Sequence, residues 1–186
     1  MSSRLRRFAL PSGGWLELDQ GDLTQWRGDA LVNAANSRML GGGGVDGAIH
    51  RAAGPELREA CARVPEVAPG VRCPTGQARI TPSFGRLQVR YVIHTVGPVY
   101  RNPGESGPLL GSAYRSSLAC ARGQGLTSIA FPAISCGVYG YPLAEAADLA
   151  VSTCREHAGE LEKVAFILFS AEVWEQWLAA AERQLP

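Results

Sequence analysis

The sequence predicts a three-layer α/β/α sandwich with a mixed, largely parallel central sheet, and three observations predict it. Runs that are apolar almost throughout, such as Tyr91-Val92-Ile93-His94-Thr95-Val96 and Val164 to Phe169, alternate along the chain with segments of helical apolar spacing. A strand that is apolar on both faces needs helices on both sides of its sheet. Two glycine-bearing loops, Gly41–Gly44 and Ser135–Gly140, each lead from such a run into a helical segment. In a parallel sheet that is where ligands bind, outside the carboxyl ends of the strands.

At 186 residues the chain has the size of one domain, 1–186, with room for a substantial core. It carries no internal repeat, low-complexity tract or linker. Lys and Arg number 18 and Asp and Glu 17, so the net charge of +1 gives no strong nucleic-acid signal and no case for an anionic membrane. A polyanion bound by so neutral a chain has to be held by backbone amides. The five cysteines (Cys61, Cys73, Cys120, Cys136, Cys154) are odd in number and form no C-x-x-C pair. That argues against a disulfide framework or a structural zinc site and for a reducing compartment. No apolar run approaches the length of a bilayer crossing. Arg4, Arg6 and Arg7 are followed by no signal-peptide core. The expectation is a soluble, monomeric intracellular protein, cytoplasmic with nuclear or organellar locations left open.

Residues 14–19 alternate, with Leu16 and Leu18 on one side and Glu17 and Asp19 on the other, as in a half-buried strand. Gly21-Asp22-Leu23-Thr24 closes it, with Asp22 placed to cap a short helical turn. Ala30-Leu31-Val32 is a brief strand that delivers Asn33 and Asn36 to its end. A helix over about 45–53 is broken by Gly54-Pro55, and a second piece runs through Arg63. Residues 65–75 form a proline-rich loop. Arg79-Ile80-Thr81 is a short strand and 91–96 a buried one. With three prolines and three glycines, 97–108 is expected to be a surface loop. Leu109, Leu110, Ala113, Tyr114, Ser117, Leu118 and Ala121 give the next helix its buried face. Ser128 to Phe131 is a core strand. Pro142 sits where a helix begins, and Leu143, Ala147, Ala150, Val151 and Cys154 line that helix. Val164 to Phe169 is the last strand, and Val173, Trp174, Trp177, Leu178 and Ala181 form a closing amphipathic helix.

The densest chemistry lies in Asn33-Ala34-Ala35-Asn36 and the run Gly41 to His50. Consecutive glycines at a helix entrance allow close backbone approach, and free N–H groups with the helix dipole favour an anion there. Asp46 and His50, four residues apart, share one helix face beside that anion. An ionised carboxylate beside a diphosphate is electrostatically disfavoured, which raises its pKa and suits it to proton transfer; the alternative is an acidic residue placed for the helix dipole. The P-loop pattern is absent. Gly42-x-Gly44-x-x-Gly47 matches the dinucleotide fingerprint literally, but polar residues separate it from its strand and Asp46 charges the turn. Glu66, at the ribose-contact distance, falls in a proline-rich loop. A Rossmann-type NAD-dependent oxidoreductase is disfavoured and stays open as an alternative.

Gly21-Asp22-Leu23-Thr24, Asn33-Ala34-Ala35-Asn36 and the block Gly41 to Gly54 (GGGGVDGAIHRAAG) together resemble the macrodomain family, in its MacroD-type branch. The resemblance continues through Thr75 to Ala78, Val92 to Pro98 and Ser135 to Pro142, in order over nearly the whole chain. It implies a macrodomain-like fold and an enzyme, an ADP-ribosyl hydrolase. Such an enzyme binds ADP-ribose, removes mono-ADP-ribose from acidic side chains of ADP-ribosylated proteins and deacetylates O-acetyl-ADP-ribose, with no metal and no cofactor. A non-catalytic ADP-ribose reader module is the alternative within the family.

By motif, Gly21, Asp22 and Leu23 would meet adenine, with the Asp22 carboxylate accepting from its amino group. Ala34, Ala35 and Asn36 would lie along the ribose farther from adenine (the distal ribose), Asn36 orienting it; bonding its own turn is the rival role for Asn36. Gly41, Gly42, Gly43, Gly44 and Val45 on one side, and Ser135, Cys136, Gly137, Val138, Tyr139 and Gly140 on the other, would wall the diphosphate. Asp46 carries the catalytic expectation; His50 positions it or the ribose, with a surface histidine as its alternative. Tyr139 would cover the distal ribose. Phe169 is either an adenine contact or a core aromatic, Asn33 a turn residue, and His94 a buried structural histidine. Cys136 stands where the family commonly has Ser or Thr, and a thiol there suggests sensitivity to oxidation.

Overall fold

The computed structural model describes residues 4–186. A seven-stranded sheet is built from β1 (Arg6–Ala9), β2 (Trp15–Gln20), β3 (Arg27–Ala34), β4 (Ala78–Pro82), β5 (Gln88–Thr95), β6 (Ser128–Phe131) and β7 (Lys163–Leu168). Its spatial order is β1-β2-β7-β6-β3-β5-β4. The five central strands run parallel and the two edge strands antiparallel to their neighbours. This is not the strand order of a dinucleotide-binding sheet. The oxidoreductase alternative is therefore set aside.

Helices α1 (Gly44–Ala53) and α2 (Pro55–Ala62) cover one face of the sheet, and α3 (Pro103–Gly123), α4 (Leu143–His157) and α5 (Ala171–Gln184) cover the other. The period of two along each strand explains why both faces are apolar. Leu31, Val92, Ala130 and Ala165 turn toward α1 and α2, while Val32, Ile93, Phe131 and Phe166 turn toward the three-helix layer. In that larger core Phe131 stacks on Phe166 at 5.5 Å and tilts against Tyr114 at 5.1 Å.

Two elements differ from the sequence expectation. Strand β1 has almost no apolar signal because it is an exposed edge, with only Phe8 partly buried. It is held instead by its register against β2 and by Arg7, which donates to Glu17 Oε1 at 3.0 Å. That bond lets Glu17 lie buried where simple alternation places it in solvent. Residues 103–108, expected as loop, are the first turns of α3. Pro103 occupies the helix start, where a missing N–H costs nothing, and Asn102 caps it by accepting from the Glu105 amide at 2.9 Å. Pro108 is exposed.

All five parallel strands end on one edge of the sheet, so the segments after β2, β3, β5, β6 and β7 emerge together there. Strands β3 and β6 are hydrogen-bonded neighbours, through Ala30 with Ile129 and Leu31 with Ala130. The two glycine loops are therefore adjacent. Replacing the fully buried Phe131 by Ala should cost about 3–5 kcal/mol in urea unfolding; a loss under about 1 kcal/mol would show that this aromatic stack is not the packing centre of the larger layer.

Candidate functional site

The first loop is shaped by Asn36. Its Oδ1 accepts from the Met39 amide at 3.2 Å and its Nδ2 donates to the Gly41 carbonyl at 3.0 Å. Asn36 thus braces the turn as its rival role foresaw, and its amide nitrogen also faces the space in front of Gly42. Met39 adopts φ +62° and is fully buried, so its side chain anchors a conformation that its backbone disfavours. Gly41 has φ +93°, a region where a side chain would be strained. Helix α1 then begins with no side-chain cap. Its first-turn amides are left open.

The second loop follows β6. Ser135 is buried at φ +66°, and the Ser135 carbonyl accepts from the Tyr141 amide at 2.9 Å. A Cβ on Gly97, just beyond β5, would strike the Ser135 side chain and Ile134 Cγ2, so only glycine lets this loop settle against the sheet end. Tyr139 is tied by its carbonyl, which accepts from the Tyr100 amide at 2.9 Å. Among the described residues, no protein acceptor takes the amides of Gly41, Gly42, Gly43, Gly137, Val138 or Tyr139. Two adjacent loops thus present unclaimed N–H groups at the carboxyl edge of the sheet, the arrangement a neutral chain needs for a polyanion.

Asp46 lies in the first turn of α1 and is only 4% exposed. Its Oδ1 accepts from Asn33 Nδ2 at 2.8 Å. Its Oδ2 lies 3.0 Å from where a Cβ on Gly42 would stand, and Asn36 Nδ2 lies 3.3 Å from the same point. The carboxylate and the Asn36 amide therefore converge on one small space that glycine leaves open. Burial pushes the Asp46 carboxyl above the ordinary carboxylate range, while the Asn33 hydrogen bond and the His50 ring pull it back. His50 is no surface residue: its side chain is 14% exposed, with Nε2 3.4 Å from Asp46 Oδ1. That nitrogen is misaligned for a hydrogen bond and has no hydrogen-bond partner among the described residues. Burial holds the His50 ring below the usual histidine range, against the pull of Asp46.

Behind Asp46 runs a buried polar chain. The second hydrogen of Asn33 Nδ2 points to His94 Nδ1 at 3.2 Å, and His94 Nε2 meets Thr81 Oγ1 at 3.0 Å and Cys61 Sγ at 3.5 Å. Asn33 and His94 are direct partners across β3 and β5. Burial drives the His94 pKa down to about 3. The structural roles foreseen for Asn33 and His94 thus have a shared object, the carboxylate, which sequence reading did not connect. The available signal was two polar residues near the ends of two otherwise apolar strands.

The other expected residues are placed as follows. Asp22 caps the turn Leu23–Gln25, its Oδ1 accepting from the Thr24 amide at 2.9 Å and hydroxyl at 2.7 Å. Asp22 is exposed, and Gly21 and the buried Leu23 flank it after β2. Phe169 is 88% exposed after β7, which removes the core-aromatic alternative. Ala34 and Ala35 continue from β3, and Ala35 donates to the Thr95 carbonyl at 2.9 Å. Val45 packs against the smaller core and Val138 stands fully exposed at the tip of the second loop. The Cys136 thiol leans on the Ile134 carbonyl and is pushed up to about 12 by burial, so it is a poor thiolate and the expected oxidation sensitivity has no support. Among the described residues no three His, Cys, Asp or Glu side chains gather as a metal site, all five cysteines are free, and no helix is long and apolar enough to cross a membrane.

Comparison with known proteins agrees with this fold. The Macro domain family model matches residues 32–150, from the end of β3 through most of α4. A Macro domain-containing protein of Xanthomonas campestris is 58% identical over 142 residues, covering 76% of this chain and 79% of its own length. A protein of Escherichia fergusonii named O-acetyl-ADP-ribose deacetylase is 54% identical over 159 residues, covering 82% and 87%. The Oceanobacillus iheyensis macrodomain, solved with ADP, superposes with a TM-score of 0.91 at 39% identity, covering 98% of this chain and 97% of that one.

The buried histidine makes stability depend on pH. His94 binds its proton near 6.5 when unfolded and near 3 when folded, so the unfolded chain holds the extra proton between those values. Its contribution is complete above the unfolded value and is lost as pH falls through the window. From about pH 7 to about pH 5 this should remove about 2 kcal/mol from the unfolding free energy, with His94→Gln flattening the slope. An equal slope in the variant would contradict the assignment. Asp46 acts in the opposite sense, its raised pKa costing stability as pH rises past the usual carboxylate value.

Proposed function

The chain belongs to the Macro domain family, and on that footing we propose that it is an ADP-ribosyl hydrolase. It binds ADP-ribose across the two loops, deacetylates O-acetyl-ADP-ribose and removes mono-ADP-ribose from acidic side chains of proteins. The observation that carries this reading is the convergence of the Asp46 carboxylate and the Asn36 amide on the open space before Gly42, beside the unclaimed amides. The name of the deacetylase relative supports the O-acetyl-ADP-ribose activity.

The diphosphate accepts from the amides of Gly41–Gly43 and Gly137–Tyr139, and the α1 N-terminus adds its dipole. That fixes the distal ribose above Gly42, where Asn36 orients it and Tyr139 covers it. Adenine extends toward Asp22, whose Oδ2 is not used by the cap, and toward the exposed ring of Phe169. A water held between the diphosphate and Asp46 attacks the acyl carbon of the ester on the distal ribose; its new C–O bond forms as the ester C–O bond breaks, releasing the free acid and leaving the ribose oxygen as a hydroxyl. Asp46, poised by burial to exchange a proton, takes one from that water or from a ribose hydroxyl. The substrate's own charge places part of this apparatus. His50 backs Asp46 from the next turn.

Two measurements test the reading. Asp46→Ala should lose about 10²–10⁴-fold in hydrolysis of a glutamate-linked mono-ADP-ribosylated protein and of O-acetyl-ADP-ribose while retaining ADP-ribose binding in calorimetry. Undiminished turnover would remove Asp46 from the mechanism, and wild-type binding without turnover on either substrate would leave a reader module. Gly42→Ala, whose new methyl would press on Asp46 Oδ2 and Asn36 Nδ2, should weaken ADP-ribose binding by about tenfold or more with the fold intact. Unchanged affinity would show that the distal ribose lies elsewhere.

A further inference from the structure

The buried chain behind Asp46 has only one internally consistent arrangement when Asp46 is ionised. A carboxylate accepts and never donates, so Asn33 must turn its NH₂ group toward Asp46 Oδ1, 2.8 Å away. The remaining hydrogen of that NH₂ runs to His94 Nδ1 at 3.2 Å, which must then be the bare nitrogen of a neutral ring. The ring proton therefore sits on Nε2, where Thr81 Oγ1 at 3.0 Å accepts it. In the reverse arrangement the proton moves to Nδ1, the Asn33 amide flips and its carbonyl faces Asp46. Only a protonated Asp46 tolerates that.

Bulk solvent does not reach this chain, since Asn33 and His94 are fully buried and Thr81 is 4% exposed. The cost of this orientation is visible too: Asn33 Oδ1 is buried with no hydrogen-bond partner among the described residues. An amide leaving its carbonyl unpaired to keep both N–H bonds gives up the hydrogen bond that carbonyl would make. We propose that Thr81 and His94 are positioning residues: Thr81 accepts the His94 Nε2–H, which leaves Nδ1 bare, holds the Asn33 amide donor-first toward Asp46 and so sets the protonation state of the reacting carboxylate. This rests on the hydrolase reading of Asp46.

The groups surrounding the carboxylate and the ring are few. His50 and Arg51 share its helix, Cys61 and Arg58 come from α2, His94 from β5, and Arg72 and Cys73 from the segment between α2 and β4. Arg58 acts on His50 and donates to the Leu40 carbonyl, and Arg72 pairs with Glu66. Of these, only Cys61 also reaches His94 Nε2. Its thiol is pushed up to about 12, so it stays protonated and favours a bare Nε2 if Thr81 is removed. Thr81 is thus the acceptor that allows the ring proton to stay on Nε2.

In the wild-type protein, ¹⁵N NMR of the His94 ring should show the proton on Nε2; a ring protonated on Nδ1 overturns the proposal without any variant. In Thr81→Val the Asp46 carboxyl midpoint, followed by ¹³C NMR, should rise by about one unit, the equivalent of one lost hydrogen bond. The acidic limb of kcat/KM for O-acetyl-ADP-ribose should move with it. Thr81→Ser, which keeps the acceptor, should restore both, and retained ADP-ribose affinity shows an intact site. An unchanged Asp46 midpoint in Thr81→Val overturns the proposal. The NMR readouts hold whatever the turnover of Asp46→Ala, so the relay and the hydrolase reading fail separately.

Discussion

A carboxylate buried at the entrance of a helix has to be solvated by something other than water, and here the Asn33 side chain does it. The 2.8 Å bond from Asn33 to Asp46 joins the end of the central strand β3 to the first turn of α1. Everything between those two residues, the braced turn at Asn36 and the run of glycines, is a bridge whose ends this bond fixes. Burial favours the neutral acid and the hydrogen bond favours the anion, so the carboxyl is held between the two states. A side chain in that condition is suited to exchange a proton and poorly suited to serve merely as a helix-dipole partner.

The proposed anion site is built differently, by backbone alone. Strands β3 and β6 lie side by side, so the loops after them are neighbours by topology, not by attraction. Gly97 lets the second loop seat itself, and Met39 anchors the first through a buried side chain at an unfavourable φ. The outcome is two sets of amides with no acceptor among the described residues. A net charge of +1 is therefore compatible with a diphosphate ligand: the positive potential is carried by oriented peptide groups and a helix end, not by lysines and arginines.

Much of this was legible in the sequence because it is written as periodicity and as glycine placement. Apolar runs such as Val164–Leu168 reveal strands covered on both faces, and Gly41–Gly44 marks a loop that enters a helix at the carboxyl edge of the sheet. What was not legible depended on partners distant in the chain. Strand β1 is held by pairing with β2 and by Arg7 on Glu17, neither of which leaves an apolar signature. The first turns of α3 were hidden by Pro103 and Pro108, residues that read as loop until the Asn102 cap is seen. At the site, His94 looked structural and Asn33 looked like a turn residue. Their connection to Asp46 exists only because β3 and β5 pair in a register that sets Asn33 opposite His94.

The central claim is that one ligand joins the two loops and delivers its reactive ribose to Asp46. A crystal structure with ADP-ribose tests it most directly. The account predicts diphosphate oxygens within hydrogen-bond distance of amides from both Gly41–Gly43 and Gly137–Tyr139, with the anomeric carbon of the distal ribose facing the Asp46 carboxylate over Gly42. A diphosphate held by one loop alone, or a distal ribose turned away from Asp46, would contradict it.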